Sequence, residues 1–253
     1  MDKRRVVVKL GGSILSDKRK DFSYRAEEVV SIARAISSAG VDAAVVHGGG
    51  AFGHPVARKY GLSSRTAKAS SEGVGETRRA MLDLNVRVCD SFLSGGLRPY
   101  AFSPFPLLET AGRRGAAWLD GLMAMGLTPV TFGDVVLDRK GFTIISGDTI
   151  ALRLSKLIDA ESCVFVMDVD GVMGPQGLLE SLDEASASSL DFSSSHDATG
   201  GMGLKVKEAL RIASAGTEVA FVSGFRPAEI AKALKGKKFH GTTLKVPSRE
   251  KER

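Results

Sequence analysis

The sequence predicts an α/β fold in which helices lie on the faces of a parallel sheet. Residues 5–10 (RVVVKL) and 41–47 (VDAAVVH) have the composition of short buried strands, and each leads into a glycine-rich turn that can begin a helix. Two such strand–helix units within the first 60 residues indicate parallel strands, because a parallel pair needs a crossover connection. Residues 163–167 (CVFVM) predict a third buried strand.

The first half of the chain also predicts three helices. Helical periodicity over residues 25–39 ends at Gly40, a residue suited to a helix C-cap. Residues 71–94 predict one long helix, and residues 115–125 predict a weaker one.

The long helix carries two apolar stripes that lie side by side. One consists of Leu82, Val86, Cys89 and Leu93, and the other of Val74, Met81, Leu84 and Val88 with Thr77 between its first two members. So wide an apolar arc predicts burial against the sheet and against a second surface. A ligand tail, a partner subunit or ordinary core packing would each fill it, and Val74, Met81 and Leu84 are our candidates for the wall of an acceptor pocket.

The second half continues the alternation. Strand-like residues 130–137 and 142–146 flank a hairpin signal at Asp138–Gly141. Gly147-Asp148 begins a helix that runs to about residue 159, and the Ser-, Asp- and Gly-rich stretch 183–201 predicts a mobile loop. Further helices are expected at 204–215 and 227–234, with a strand at 218–222 between them.

Composition limits the domain organisation. No internal repeat or long linker divides the 253 residues, so we expect a single domain over 1–253, with an acceptor-binding lobe in 1–160 and a nucleotide-binding lobe in 161–253. No apolar run approaches the roughly 20 residues that span a bilayer, and no signal peptide is evident, so we expect a cytoplasmic protein without a membrane partner.

The charge pattern argues against a nucleic-acid partner. The net charge is +6, yet the chain has only three Tyr and one Trp and no interleaved basic and aromatic residues. Its two cysteines, Cys89 and Cys163, lie in apolar stretches without metal-ligand spacing. We interpret both as buried structural thiols.

Two segments at strand ends have the composition of phosphate sites. Lys9-Leu10-Gly11-Gly12-Ser13 combines a cation with glycines that let backbone amides approach a phosphate. His47–Pro55 (HGGGAFGHP) contains a match to G-x-G-x-x-G, but the dinucleotide alternative requires an acid at the end of a second strand, and Glu72 lies in a predicted helix. The triple glycine Gly48–Gly50, here called the glycine bed, better fits a row of backbone amides that bind a phosphoryl group. We therefore interpret the nearby His54 as a functional residue.

Three later segments add charged groups. Asp148 follows Ser146-Gly147 and either caps its helix or holds lysines at a phosphate site. Asp168 follows a buried strand, where α/β sheets bind their ligands, although a plain turn would have the same composition. Lys205 lies in the first turn of a glycine-led helix, a position that opposes the helix dipole unless an anion balances it.

Walker A and protein-kinase signatures are absent, so any phosphoryl transfer here uses another architecture. Taken in order, the five segments resemble the amino-acid-kinase superfamily. KLGGSILSDK (Lys9–Lys18) and HGGGAFGHP are similar to the isopentenyl phosphate kinases within it, as are IISGD, MDVDGV and DATGGM further on. The chain departs from the pattern at Gly203, where many members have a lysine. Fosfomycin kinase has a similar histidine and is the alternative within the same superfamily.

The resemblance implies a three-layer αβα sandwich with a mostly parallel central sheet, a homodimer, and use of ATP with Mg²⁺. It implies transfer of the γ-phosphoryl group to isopentenyl phosphate. The alternatives are a kinase for another small phosphate, phosphonate or carboxylate, and a non-catalytic binding or regulatory protein on the same fold.

The resemblance also assigns roles to residues. The acceptor phosphate would contact His54, Gly49 and Gly147. The transferring group would be neutralised by Lys9, Lys18 and Lys205, with Asp148 orienting the lysines and the Gly50 amide facing the γ-phosphate. The remaining nucleotide contacts would come from Gly11, Gly12, Ser13, Asp168 and Gly201.

Overall fold

The computed structural model describes residues 3–17, 19–62, 70–104, 112–138, 141–190 and 201–244. Its strands are β1 (Arg5–Leu10), β2 (Asp42–His47), β3 (Pro99–Ala101), β4 (Thr128–Phe132), β5 (Asp134–Asp138), β6 (Gly141–Ile145), β7 (Ser162–Met167), β8 (Met173–Gly174), β9 (Gly177–Leu178), β10 (Ser181–Leu182), β11 (Glu218–Ser223) and β12 (Thr242–Leu244). Its helices are α1 (Gly12–Leu15), α2 (Ala26–Ala39), α3 (Gly50–Lys59), α4 (Ser71–Ser94), α5 (Arg113–Ala124), α6 (Gly147–Leu157), α7 (Glu184–Ser189), α8 (Gly201–Ser214) and α9 (Pro227–Leu234).

A mostly parallel sheet forms the centre of the molecule. In the described residues it has eight strands in the order β10-β12-β11-β7-β1-β2-β4-β3, and only the β11–β12 pair is antiparallel. Strand β1 lies between β2 and β7, so the carboxyl ends of all three meet at one edge. That edge is where a parallel sheet binds ligands.

Helices cover both faces, which confirms the predicted αβα sandwich. One layer packs α2, α3, α4 and α9 against side chains such as Val8 and Val164, and the other packs α5, α6 and α8 against Val7 and Phe165. Because side chains alternate along a strand, Lys9 faces the same layer as Val7, towards α6. Strand β1, which precedes residue 160, pairs directly with β7, which follows it, so the two proposed lobes share one sheet.

Several predicted boundaries are corrected. The predicted strand 130–137 is two strands that part at Gly133, and α7 forms inside the stretch predicted as a loop, whose residues 191–200 lie outside the described residues. The apolar stripes of α4 also divide. Met81, Leu84 and Val88 are buried in the core, whereas Leu82, Val86 and Leu93 are 44%, 59% and 60% exposed.

Helix α3 is not evident in the sequence because it contains Pro55. A proline lacks the amide that would bond the carbonyl four residues earlier, here that of Ala51. The backbone amide of Phe22 bonds to this carbonyl at 3.0 Å, and the Phe22 and Phe52 rings meet edge to face. Pro55 therefore leaves an acceptor that fixes the segment before α2 onto α3.

Strand β12 anchors the turn after β7. The amide of Val172 donates to the buried Thr242 hydroxyl at 2.9 Å, and Gly171 lies against the same side chain. The turn that follows β7 is thus held by a strand 70 residues later. Among the described residues, no helix is both long and apolar enough to cross a membrane.

Candidate active site

Two glycine turns touch at the carboxyl edge of the sheet. A Cβ on Gly12 would lie 2.6 Å from the Gly50 nitrogen, and one on Gly48 would lie 3.1 Å from the Gly12 nitrogen. Gly50 has a φ of +49°, and a side chain there would collide with Ser16. Side chains are therefore excluded between the turns, and the two backbones pack directly against each other.

Ser16 joins the two turns. Its hydroxyl accepts a hydrogen bond from the Ala51 amide at 2.7 Å and donates to the Gly12 carbonyl at 2.9 Å. The residue is 1% exposed, so water does not compete for either bond. The spacing of the two turns is consequently set by a single hydroxyl.

The amides at this edge fall into two groups. Those of Gly11 and Gly48 donate to the carbonyls of Val166 and Leu10 at 2.9 and 3.0 Å, which extends the sheet. A phosphate contact through the Gly11 amide would require its bond to break. Helix α3 begins at Gly50, and the first amides of a helix lack acceptors within it, so the Gly50 amide suits an anion.

A buried ion pair lies beside the glycine turns. Lys9 Nζ is 2.5 Å from Asp148 Oδ1, and Lys9 is only 4% exposed. Asp148 is in the first turn of α6, where a carboxylate also complements the helix dipole. The structure thus brings together the predicted cation and the carboxylate that orients it, from distant parts of the chain. Of the other two predicted lysines, Lys18 lies outside the described residues. Lys205 is half-buried in the first turns of α8, next to α6.

The predicted nucleotide side is formed by β1, β7 and β11. The Ser13 hydroxyl donates to Asp168 Oδ1 at 2.7 Å, and Gly201 is the first residue of α8. A second cluster was not predicted. Arg226 donates two hydrogen bonds to Asp170 at 2.8 and 3.2 Å, and the Arg226 cation holds the pKa of Asp170 below its usual value.

The predicted acceptor side is formed by α3 and α4. His54 is exposed in α3, just beyond the glycine bed, and Gly147 approaches the bed so closely that a Cβ there would lie 3.2 Å from the His47 carbonyl. Met81 lies against the bed, since a Cβ on Gly49 would be 3.3 Å from its sulfur. Val74 is half-buried, and Leu84 is fully buried in the core.

His47 closes the end of β2. Its ring stacks on Phe132, and Nε2 is 3.2 Å from the Asn85 side-chain oxygen. Full burial lowers the pKa of His47, which keeps the imidazole neutral. The residue therefore serves the packing of β2 against α4.

An ion pair links α4 to the hairpin of β5 and β6. Arg78 bonds to Asp134 through Nη1 and lies 3.3 Å from the Ser103 hydroxyl through Nη2. Burial raises the pKa of Asp134 to about 6, although the Arg78 cation acts in the opposite direction.

Sequence reasoning did not identify Ser16, Asn85, Arg78 or Asp134. Ser16 was detectable in principle, because it follows the glycine turn by one helical turn. The other three act through partners distant in sequence, so only the folded structure reveals them.

A model of the Amino acid kinase family matches residues 4–223 of the chain. The isopentenyl phosphate kinase of Methanothermobacter thermautotrophicus is 32% identical, with 94% of this chain and 98% of that protein covered. The isopentenyl phosphate kinase of Methanocaldococcus jannaschii is 33% identical, with 79% and 84% covered.

Solved structures agree with these relatives. The structure of Thermoplasma acidophilum isopentenyl phosphate kinase in a product complex matches with a TM-score of 0.75 and 27% identity, and covers 95% of this chain and 100% of that one. The fold of N-acetylglutamate synthase from Neisseria gonorrhoeae is also similar, with a TM-score of 0.71 at 14% identity. With its glycine turns, its buried lysine and a family match over most of its length, the chain belongs to the amino acid kinase family of phosphotransferases.

Proposed function

We propose that this protein transfers the γ-phosphoryl group of ATP to isopentenyl phosphate, which gives isopentenyl diphosphate and ADP in isoprenoid biosynthesis. The observation that carries the proposal is the Lys9–Asp148 pair beside the joined glycine turns, because a nearly buried, oriented cation is what phosphoryl transfer between two polyanions requires. The relatives at 32% and 33% identity are isopentenyl phosphate kinases, which supports isopentenyl phosphate as the acceptor.

The proposed reaction needs no general base. A phosphate monoester has a second pKa near 6 and is largely dianionic at pH 7, so its oxygen is already a nucleophile. The barrier arises from bringing two negative groups into line. Catalysis by this chain would therefore consist of positioning and charge neutralisation.

Each side of the glycine bed has its own role in this proposal. His54 and the Gly49 amide hold the acceptor phosphate, while the Gly50 amide faces the γ-phosphate. Lys9, Lys18 and Lys205 neutralise the transferring group. Asp148 fixes the direction of Lys9, as its 2.5 Å contact allows. Ser13, Asp168 and Gly201 bind the nucleotide.

Mg²⁺ would accompany ATP and offset the charge of its phosphates. In the described ranges, no group of three or more His, Cys, Asp or Glu side chains is arranged as a metal site. Mg²⁺ commonly keeps several waters and binds through phosphates and one or two carboxylates. We therefore expect Mg²⁺ to be held by the ATP phosphates, with few or no protein ligands.

The hydrocarbon tail of the acceptor needs a dry pocket beside His54. Met81 touches the glycine bed, and Val74 lies two helical turns earlier on α4. Together with Leu84, these residues are the wall we propose for the pocket.

We also propose a homodimer that buries the exposed stripe of α4. Leu82, Val86 and Leu93 are 44%, 59% and 60% exposed on one face of the helix. In a dimer with a two-fold axis, this stripe could pack against the same stripe of the second copy, which would bury its apolar side chains. Light scattering of the wild type and of Val86→Glu tests this, and a monomeric wild type would contradict it.

The function is tested by ADP release with magnesium-ATP and a panel of acceptors. We expect the highest kcat/KM with isopentenyl phosphate. Faster turnover of acetylglutamate, aspartate or fosfomycin would contradict the acceptor assignment. ATP binding without turnover of any acceptor would favour a regulatory protein on this fold.

A further inference from the structure

Arg78 joins α4 to the start of β5 and to the segment after β3. Arg78 is on α4, Asp134 begins β5, and Ser103 follows β3. One guanidinium nitrogen bonds to the Asp134 carboxylate, and another lies 3.3 Å from the Ser103 hydroxyl. Asp134 is 2% exposed, and its second oxygen accepts from the Val135 amide at 2.8 Å.

Both ends of the β5–β6 hairpin contact the carbonyl of His47, the residue just before the glycine bed. The amide of Gly133, just before β5, donates to the His47 carbonyl at 2.9 Å. Gly147, which follows the hairpin, packs on the same carbonyl and lies within 3.2 Å of a Cβ placed on Gly133. A movement of Gly133 or Gly147 would therefore displace the backbone at the start of the glycine bed.

The helix on the other side of the ion pair reaches the same bed. One turn after Arg78, the sulfur of Met81 lies 3.3 Å from a Cβ placed on Gly49, and still closer to one placed on Gly53. The ion pair thus bridges two walls, the hairpin and α4, that both contact the bed.

Stability alone does not account for this pair. Asp134 is buried while the Arg78 side chain is 38% exposed, and transferring a carboxylate out of water costs free energy that an ion pair often only offsets. An ion pair does fix geometry more strictly than apolar contact, because a guanidinium bonds in defined directions.

We propose that Arg78 is a positioning residue that, through Asp134, holds the β5–β6 hairpin at a fixed distance from α4 and so sets the acceptor site. This inference rests on the proposed phosphoryl transfer. Arg78 acts on the acceptor only through the hairpin and touches no reacting atom.

The test compares Arg78→Met, the double variant Arg78→Met/Asp134→Asn, and the control Arg79→Met. Arg79 is the next residue of α4, and its 3.2 Å contact with Asp83 stays on the helix surface. The double variant also removes the unpaired carboxylate, so its melting temperature should return towards that of the wild type. We expect Arg78→Met and the double variant both to raise KM for isopentenyl phosphate about tenfold or more, with a smaller change in KM for ATP.

A second measurement does not depend on the acceptor. Hydrogen exchange of the amides in 134–138 and 141–145 should become faster in both Arg78 variants and stay unchanged in Arg79→Met. Recovery of the acceptor KM in the double variant, or unaltered exchange in the hairpin, would overturn the inference. A wild type that does not turn over isopentenyl phosphate would overturn the proposed function instead, while hydrogen exchange would still decide whether Arg78 holds the hairpin.

Discussion

Lys9 and Asp148 form an ion pair that connects the end of β1 to the first turn of α6, with 2.5 Å between Nζ and Oδ1. The ring of Phe165 lies 5.7 Å from the same ammonium group. Few other positions of Lys9 are open, because the residue is 4% exposed. The cation is therefore oriented before any substrate binds, which is the arrangement that electrostatic catalysis requires.

Replacing Lys9 should affect the chemical step more than binding. We expect Lys9→Met to lower kcat by about 10²-fold or more, the scale of a single electrostatic stabiliser. The double variant Lys9→Met/Asp148→Asn should recover thermal stability, since it leaves no unpaired carboxylate, but not kcat. Steady-state kinetics and melting curves on both variants check this. A change confined to KM would assign Lys9 to ground-state binding.

Removing the Ser16 hydroxyl should loosen the two glycine turns. Ser16→Ala leaves the Ala51 amide buried without its partner, which should cost about 1–3 kcal/mol of unfolding free energy and lower kcat/KM. Ser155 offers a matched control, because it is similarly buried, at 2% exposed, and its hydroxyl donates to the Ala151 carbonyl within its own helix. Urea unfolding measures the stability of both variants, and steady-state kinetics measures their activity. An equal loss of activity in Ser16→Ala and Ser155→Ala would contradict a specific role for Ser16.

A binding role for His54 separates two substitutions. His54→Gln keeps a hydrogen-bond donor and should retain much more activity than His54→Ala, because the acceptor needs no proton transfer. Activity assays over a range of acceptor concentrations measure the difference. An equal loss in both variants would indicate that the imidazole transfers a proton.

Shortening Met81 tests the acceptor pocket. If Met81 forms the pocket wall, Met81→Ala should improve kcat/KM for a ten-carbon prenyl phosphate relative to the five-carbon acceptor, since each buried CH₂ contributes about 0.8 kcal/mol. If the residue serves only the core, the variant should lose about 2–5 kcal/mol of stability with no change in preference. The ratio of the two acceptors, measured beside the melting temperature, distinguishes these outcomes.

The buried Asp134 predicts a pH dependence of stability. Burial raises its pKa to about 6 from the ordinary value of 3.8, so the folded state binds the proton more tightly than the unfolded state. Its contribution to stability is complete below the unfolded pKa and is lost as pH rises through the folded pKa. The wild type should therefore lose stability relative to Asp134→Asn between pH 4 and pH 7, by about 2 kcal/mol. Parallel melting curves across this range would contradict the shift.

Local signals in the sequence were sufficient for several elements. Helix α4 begins at Ser71 and ends at Ser94 as predicted, because Ser70 caps its first turn and Gly95 follows its last. Helix α9 begins at Pro227, which suits a first helical position. Strand β1 was recognisable since it is buried on both faces and reads as one apolar run.

Other elements depend on contacts that a sequence does not display. Helix α3 was not predicted because it contains glycines and Pro55. The Ala51 carbonyl, which Pro55 cannot bond, accepts from the amide of Phe22 in another segment. The stripe of α4 that faces the core could not be chosen from periodicity, because both stripes are equally apolar. Of the candidate site, glycines and lysines were identifiable by type, whereas the Arg78–Asp134 tie joins residues 56 positions apart.

The hydrogen bond from Val172 to Thr242 has a consequence for the protein during its synthesis. The turn after β7 leaves the ribosome 70 residues before the strand that anchors it. At typical rates of about 5–20 residues per second, the turn would wait roughly 4–14 seconds for its partner. In a nascent chain, the turn after β7 on the proposed nucleotide side would therefore lack its anchor for some seconds after the glycine turns had been synthesised.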